Sequence, residues 1–197
     1  MPRFRYPEKV SITNDEINEL PLGAFAGEVV LISDKRNVEK AFEEIGDYEA
    51  VGFDTETRPV FVRGQQHKVA LMQIAVPEKV YLIRLNLTGF TPEIVNFMED
   101  DSIKKIGIAL RDDVKALDRL KRFKPAGSVE LATLTKQAGI EVESVKKLAG
   151  LFLGFRISKG AQTSNWEAPE LNEKQISYAA TDAWVCLEVF TMLAQRP

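Results

Sequence analysis

The chain has one cysteine and one histidine in 197 residues. The lone cysteine, Cys186, excludes an internal disulfide. Set among Val185, Leu187 and Val189 in a helix-like run, it reads as a buried structural thiol rather than a nucleophile. The lone histidine, His67, lies in the polar stretch 63–68 and reads as a loop residue. A histidine-based zinc cage or a Ser-His-Asp triad would have to use that one ring, which removes most of the support for either. No unbroken apolar run approaches the roughly 18–20 residues of a membrane-spanning helix, so no membrane partner is expected. The first twenty residues are too polar for a signal peptide, and a cytoplasmic location is the expectation. A strong charge of one sign is also missing: 26 Lys and Arg against 29 Asp and Glu leave a net charge of −3. That counts mildly against non-specific nucleic-acid binding, but carboxylates that bind cations add negative charge the cations offset, and Lys104-Lys105, Lys121-Arg122 with Lys124, and Lys146-Lys147 form local basic groups. There is no internal repeat, low-complexity tract or long linker.

What is present suits one domain with a full-sized core: 45% hydrophobic and 28% charged residues. Thr13 followed by Asp15, Glu16, Ile17 and Leu20 predicts a short capped helix. Residues 29–32 read as a strand, and Ser33 or Asp34 caps a helix through about Ile45, with Val38, Ala41, Phe42 and Ile45 on one face. Residues 50–54, 69–76 and 80–85 read as strands. The last two are joined by Pro77-Glu78-Lys79, which predicts a hairpin. Further on, 92–98 reads as helix, 105–109 as strand, and 112–120, 131–138, 144–153 and about 172–194 as helices. Strands gather early and helices late, with alternation between. The expectation is an α/β fold, a mixed central sheet flanked by helices.

Two pairs of residues carry the chemistry, one of two carboxylates and one of a tyrosine and a carboxylate. Asp54 and Glu56 alternate at a strand end and project from one face. Two neighbouring carboxylates repel and stay protonated unless a cation lies between them, and hard oxygen donors suit Mg²⁺ or Mn²⁺. Tyr178 and Asp182 stand one helical turn apart. Ala179 and Ala180 between them would let another element approach, and a carboxylate among such apolar neighbours needs a partner or a metal. Either pair alone also fits a solvated strand end or a locally hydrogen-bonded helix residue.

Taken together the segments resemble the DEDDy branch of the 3′–5′ exonucleases. The residues that carry the resemblance are Gly52-Phe53-Asp54-Thr55-Glu56, Lys105-Ile106-Gly107-Ile108 leading to Asp113, and Tyr178-Ala179-Ala180-Thr181-Asp182-Ala183. The stretch Val69-Ala70-Leu71-Met72-Gln73-Ile74 and the run Ser164-Asn165-Trp166 before Gln175 add to it. The likeness spans about residues 29–193. It is strongest toward the exonuclease domain of the Werner syndrome protein, with ribonuclease D more distant. The sister branch carries a histidine where this chain has Ser177, so the chain reads as the tyrosine type. Residues 1–28 fall outside the likeness and read as an N-terminal extension packed on a 3′–5′ exonuclease domain of residues 29–197.

The resemblance implies a ribonuclease H-like fold and hydrolysis of phosphodiester bonds from the free 3′ end of DNA or RNA. It implies two Mg²⁺ or Mn²⁺ ions, one held by Asp54, Glu56 and Asp182, with Asp54 bridging to the second and Asp113 acting through water. Tyr178 would orient the attacking water, since its ordinary pKa of about 10 makes it a poor base near neutrality. Thr55, Lys159 and Trp166 are the candidate nucleic-acid contacts, Lys159 at a phosphate and Trp166 either stacking on a base or simply packing. Between neighbours Asp112 and Asp113, helix phase favours Asp113, whose face carries Ala116, Leu117 and Leu120. Asp112 is expected to serve as the N-cap. A catalytically weak nucleic-acid-binding module of the same fold is the alternative; it would be favoured by loss of a metal ligand, and none is missing. An interaction domain built on the last helix is a further one. Nothing in the pattern specifies an oligomeric state.

Overall fold

A computed structural model describes residues 7–62 and 64–195, except for the side chain of Lys159. Six strands form one mixed sheet: β1 (Glu28–Ile32), β2 (Ala50–Thr57), β3 (Val69–Val76), β4 (Lys79–Ile83), β5 (Lys104–Gly107) and β6 (Ser128–Glu130), in the order β1-β4-β3-β2-β5-β6. The β3–β4 hairpin and the β2–β3 pair are antiparallel, whereas β1–β4, β2–β5 and β5–β6 are parallel. Every residue of β3 is buried, as expected of a central strand covered on both faces.

The helices are α1 (Asn14–Glu19), α2 (Val38–Ile45), α3 (Leu85–Thr88), α4 (Pro92–Glu99), α5 (Leu110–Asp118), α6 (Leu131–Gln137), α7 (Val145–Leu148) and α8 (Glu173–Ala194). Two of them begin with reciprocal side-chain caps. Thr13 and Glu16 make a reciprocal capping box at α1, and Asn172 and Gln175 make another at α8. One face of the sheet, with Val51, Phe53, Ile74 and Tyr81, packs against apolar residues of α2, α4 and α5. The other face, with Leu71, Ala75 and Leu82, packs against Ala179, Ala180 and Ala183 of α8. The mixed sheet and its flanking helices are thus those expected from the pattern.

Some details depart from the pattern. Residues 35–37 form a 3-10 turn capped by Asp34 before α2 begins. The predicted helix over 144–153 is α7 followed by a π-turn at Ala149–Leu153. Strand β6, only three residues long, and the single-turn α3 carry no periodic signal and were not expected. Helix α8 is, among the described residues, the one helix long and apolar enough to cross a membrane, with a mean hydropathy of 1.2. Counting only unbroken apolar runs misses this. Over half of that stretch is buried inside the protein, which is where a core helix spends its apolar surface.

Candidate active site

The strands decide where the first pair of carboxylates sits. β5 pairs with β2 only as far as Gly52, so Asp54 and Glu56 run on past the end of their parallel neighbour. This is the crevice beyond strand carboxyl ends where α/β sheets bind ligands. Alternation puts Gly52, Asp54 and Glu56 on the face covered by α8, and Thr55 on the opposite face, toward α5. Helix α8 approaches β2 closely because residue 52 has no side chain. A Cβ there would stand 2.0 Å from the carbonyl oxygen of Ala183.

That approach brings Asp182 to the strand. Carboxylate oxygens of Asp54, Glu56 and Asp182 all lie within 4.8 Å of one another. Asp182 is 7% exposed, and Asp54 and Glu56 are half-buried. The Tyr178 hydroxyl, one turn before Asp182, lies beside the Asp182 carboxylate. A cavity of about 300 Å³ opens over these two side chains, lined also by Ile108, Ser144, Ile157 and Ser158.

Asp113 enters from the other layer. It lies outside the trio, and its carboxylate accepts a hydrogen bond from the Thr55 hydroxyl. The helix phase that turns Asp113 toward β2 is therefore the one expected, but the assignment of Asp112 as N-cap is wrong. Helix α5 starts earlier, at Leu110, after Ala109 in the left-handed conformation (φ 58°). Its first amides are capped by Glu130, which accepts from the N–H groups of Ala109 and Leu110 at 3.1 Å each. Asp112 instead projects into solvent, 3.7 Å from Lys115. Glu130 also accepts from Ala132 N–H at the start of α6, so one carboxylate caps two helices. The capping partner sits on the short strand β6, which is why the local sequence of α5 does not reveal it.

The electrostatics follow from crowding anions out of water. Burial pushes the Asp54 carboxyl well above its usual range, and the charges of Asp182, Asp113 and Glu56 push it further. Burial, then Asp182 and Asp113, raise Glu56 to about 9. Burial raises Asp182 to about 7 against the opposing effect of the Tyr178 hydroxyl beside it. Asp113 rises to about 6, again mainly by burial, while the bond from Thr55 opposes the shift. Tyr178 is raised by burial first and by Asp182 second, so its hydroxyl stays protonated near neutrality.

The other expected contacts fare differently. Thr55 is in place beside the carboxylates. Its hydroxyl proton is committed to Asp113, and its N–H to Asp54 Oδ1 at 2.9 Å. Trp166 is fully buried, packed with Leu171 and Ala180, its ring 6.3 Å from that of Tyr178. The indole therefore has no face to offer a base, and packing is its role. The guanidinium of buried Arg84 holds the following turn through the carbonyls of Ala168 and Pro169. The phosphate contact expected of the Lys159 side chain lies outside the described residues. Of the basic pairs, Lys105 is buried, with its ammonium on the carbonyls of Asp100 and Ala126 and 4.9 Å from the Phe97 ring centroid, so it faces no substrate. Cys186 is buried, as expected. His67 sits in the loop after β2, 3.6 Å from Glu167.

Four carboxylates and a tyrosine thus converge at the end of β2, drawn from three separated segments. A family model described as 3′–5′ exonuclease matches residues 29–196. The chain belongs to the 3′–5′ exonuclease family. Among curated proteins it is 29% identical over 181 residues to the human exonuclease mut-7 homolog, covering 76% of this chain and 20% of that protein. It is 30% identical over 197 residues to the mouse bifunctional 3′–5′ exonuclease/ATP-dependent helicase WRN, covering 94% of this chain and 14% of that protein. The chain thus spans a fifth or less of the length of these two relatives. The crystal structure of Escherichia coli RNase D superposes with a TM-score of 0.76 at 22% identity, over 85% of this chain and 44% of that one. This places the fold in the ribonuclease H-like class.

Proposed function

We propose that this exonuclease domain removes nucleotides from the 3′ end of a nucleic acid, hydrolysing phosphodiester bonds to release nucleoside 5′-monophosphates, with Mg²⁺ or Mn²⁺ bound at the carboxylate cluster. The observation that carries the reading is the convergence of Asp54, Glu56 and Asp182 within 4.8 Å beside the Tyr178 hydroxyl. The donor set fits a hard divalent cation: acidic oxygens only, partly buried, with Asp182 and Asp113 raising the pKa of both Asp54 and Glu56. Asp54, Glu56 and Asp182 would hold one ion, and Asp54 with Asp113, through water, a second. When bound, the ions supply Lewis acidity toward an attacking water and toward the departing 3′-oxygen.

The chain's own residues do the positioning. Tyr178 keeps its proton, so it orients the water by a hydrogen bond rather than acting as a base. Thr55 locks the Asp113 carboxylate against the end of β2. The half-buried cleft shields the reacting phosphate from bulk water and strengthens every charge interaction within it. Escherichia coli RNase D is described as an exoribonuclease involved in structured RNA processing, whereas the name of mouse WRN pairs the exonuclease with a helicase. The nucleic acid cleaved by this chain is therefore tested directly. Labelled single-stranded DNA, recessed duplex DNA and RNA are digested side by side with Mg²⁺ or Mn²⁺, with Asp182→Ala as control. Release of nucleoside 5′-monophosphates by the wild type and not by Asp182→Ala is the expected result. Equal release by both would overturn the reading.

A further inference from the structure

The segment that precedes the family match is built into the helix that carries the site. The family model begins at residue 29, yet residues 20–25 lie along the wall of the catalytic layer through a chain of specific bonds. Arg156 donates its N–H to Pro21 O and its side-chain Nε to Leu20 O, both at 2.9 Å. Gly23 N–H donates to Arg156 O at 3.1 Å, and a Cβ at Gly23 would meet the Phe155 ring at 2.4 Å. The Phe25 and Phe155 rings both lie against Trp184 of α8, at centroid distances of 5.5 and 6.2 Å.

The strand-like strap ends on one hydroxyl. Phe25 N–H donates to Thr181 Oγ1 at 3.0 Å, and Thr181 Oγ1 donates in turn to Ser177 O at 2.6 Å. Thr181 is 1% exposed. Its position in the chain is what matters: it lies within the turn bounded by Tyr178 and Asp182, next to the catalytic aspartate. On the sheet side α8 is held by close contact between Gly52 and Ala183. On the other side, the Phe25–Thr181 bond is the polar tie from the strap. Further along, α8 is locked by larger buried side chains such as Val185, Val189 and Met192, but the turn at Ala179, Ala180 and Ala183 presents only small residues to the sheet. Two ties on different sides of that turn fix its register.

We infer that residues 20–25 form a positioning strap, acting through Thr181, that holds the Tyr178–Asp182 turn in register with Asp54 and Glu56. Thr181 is then a positioning residue for the exonuclease reaction; the inference rests on that reading of the site. It assigns a role in turnover to a segment outside the matched family domain. The strap adds no residue to the carboxylate cluster; its effect passes through the hydrogen bond to the helix.

The test compares Thr181→Val, which keeps the shape and loses both hydrogen bonds, with Thr181→Ser, which keeps them. Phe25→Pro removes the strap's donor, and Phe25→Ala removes the same ring while retaining the N–H. Each variant is assayed for single-nucleotide release well below its melting temperature, and for Mn²⁺ binding by calorimetry. Thr181→Val is expected to lower kcat by about tenfold with KM within about twofold, since misplacement by a fraction of an ångström costs rate more than binding. Mn²⁺ affinity falls in parallel, and Thr181→Ser restores both. Phe25→Pro falls below Phe25→Ala, and adding Thr181→Val to Phe25→Pro costs nothing further. Should Thr181→Val fail to fold, the Phe25→Pro and Phe25→Ala pair reads the same bond. A merely structural hydroxyl would lower the melting temperature while leaving kcat and Mn²⁺ affinity at wild-type values, and that result would overturn the strap. Absence of cleavage by the wild type would instead overturn the exonuclease reading.

Discussion

Replacing Gly52 by alanine adds one methyl group, but it adds it where β2 and α8 touch. The new Cβ would stand 2.0 Å from Ala183 O and 2.9 Å from the Ala183 carbonyl carbon, with the Ala75 Cβ at 3.2 Å. Ordinary contact begins at 3.4 Å. The partner at 2.0 Å is helix backbone, which cannot rotate away as a side-chain end does, so α8 must retreat, or β2 bend, by about 1 Å to reach the 3.0 Å limit of real contacts and by about 1.4 Å to reach ordinary contact. Ala183 adjoins Asp182, and Gly52 is two residues before Asp54, so the movement separates the carboxylates that must share a cation. Overpacking of this kind costs about 1–3 kcal/mol of stability. A displacement near 1 Å in a catalytic constellation costs about a hundredfold in rate. Gly52→Ala should therefore fold, melt lower, bind Mn²⁺ more weakly and turn over about a hundredfold more slowly. Chemical denaturation, Mn²⁺ calorimetry and steady-state nucleotide release measure the three effects on one preparation. Wild-type turnover and Mn²⁺ affinity in a folded Gly52→Ala protein would refute the claim that the α8–β2 approach sets the site.

Other perturbations separate the roles of the remaining residues. Asp113→Asn should cut turnover by about a hundredfold or more with little change in melting, because its carboxylate faces the site. Asp112→Asn, altering a solvent-facing side chain, should keep wild-type activity, and the reverse pattern would mean the helix phase is misread. Tyr178→Phe should lower kcat by about tenfold or more while Mn²⁺ affinity stays near wild type, whereas Asp182→Ala should lose both; calorimetry beside kinetics distinguishes them. The metal-free protein should lose stability as pH rises from about 5 to 9. Its raised carboxyls, Asp113 at about 6, Asp182 at about 7 and Glu56 at about 9, hold protons in the folded state that the unfolded chain has already released. Mg²⁺ or Mn²⁺ binds the deprotonated form, so at a hundredfold excess over Kd it should raise Tm by about 5–10 °C at pH 8. The rise should be much smaller at pH 5, and equal shifts in differential scanning fluorimetry at the two pH values would contradict a carboxylate site.

Much of this arrangement was legible in the chain because the decisive signals are periodic. Alternation along β2 puts Asp54 and Glu56 together. The helical repeat puts Tyr178 above Asp182, and the apolar stripe of α5 turns Asp113 inward. What escaped depends on contacts between segments far apart in sequence. The start of α5 is governed by Glu130, some twenty residues on, whose carboxylate caps it more completely than the nearby Asp112 could. Strand β6, which carries Glu130, has three residues and no alternation to detect. Thr55 suggests a substrate contact by its neighbours, and its bond to Asp113 emerges only when α5 is placed against the sheet. Trp166 shows the same limit: a tryptophan near a catalytic tyrosine resembles a stacking platform until its full burial under Leu171 and α8 is seen. The strap of residues 20–25 leaves no local signature either, since its partners are Arg156 and Thr181.

The central claim, that the carboxylate cluster removes nucleotides from a 3′ end with a divalent cation, is tested most directly by a single-strand ladder assay. A 5′-labelled oligonucleotide with a free 3′-hydroxyl is incubated with the wild-type chain and Mg²⁺ or Mn²⁺, beside the same strand closed by a 3′ block. The account predicts successive shortening by one nucleotide from the open 3′ end, none from the blocked strand, and none for either once EDTA is in excess. Internal cleavage products, equal degradation of the blocked strand, or undiminished activity in EDTA would contradict it.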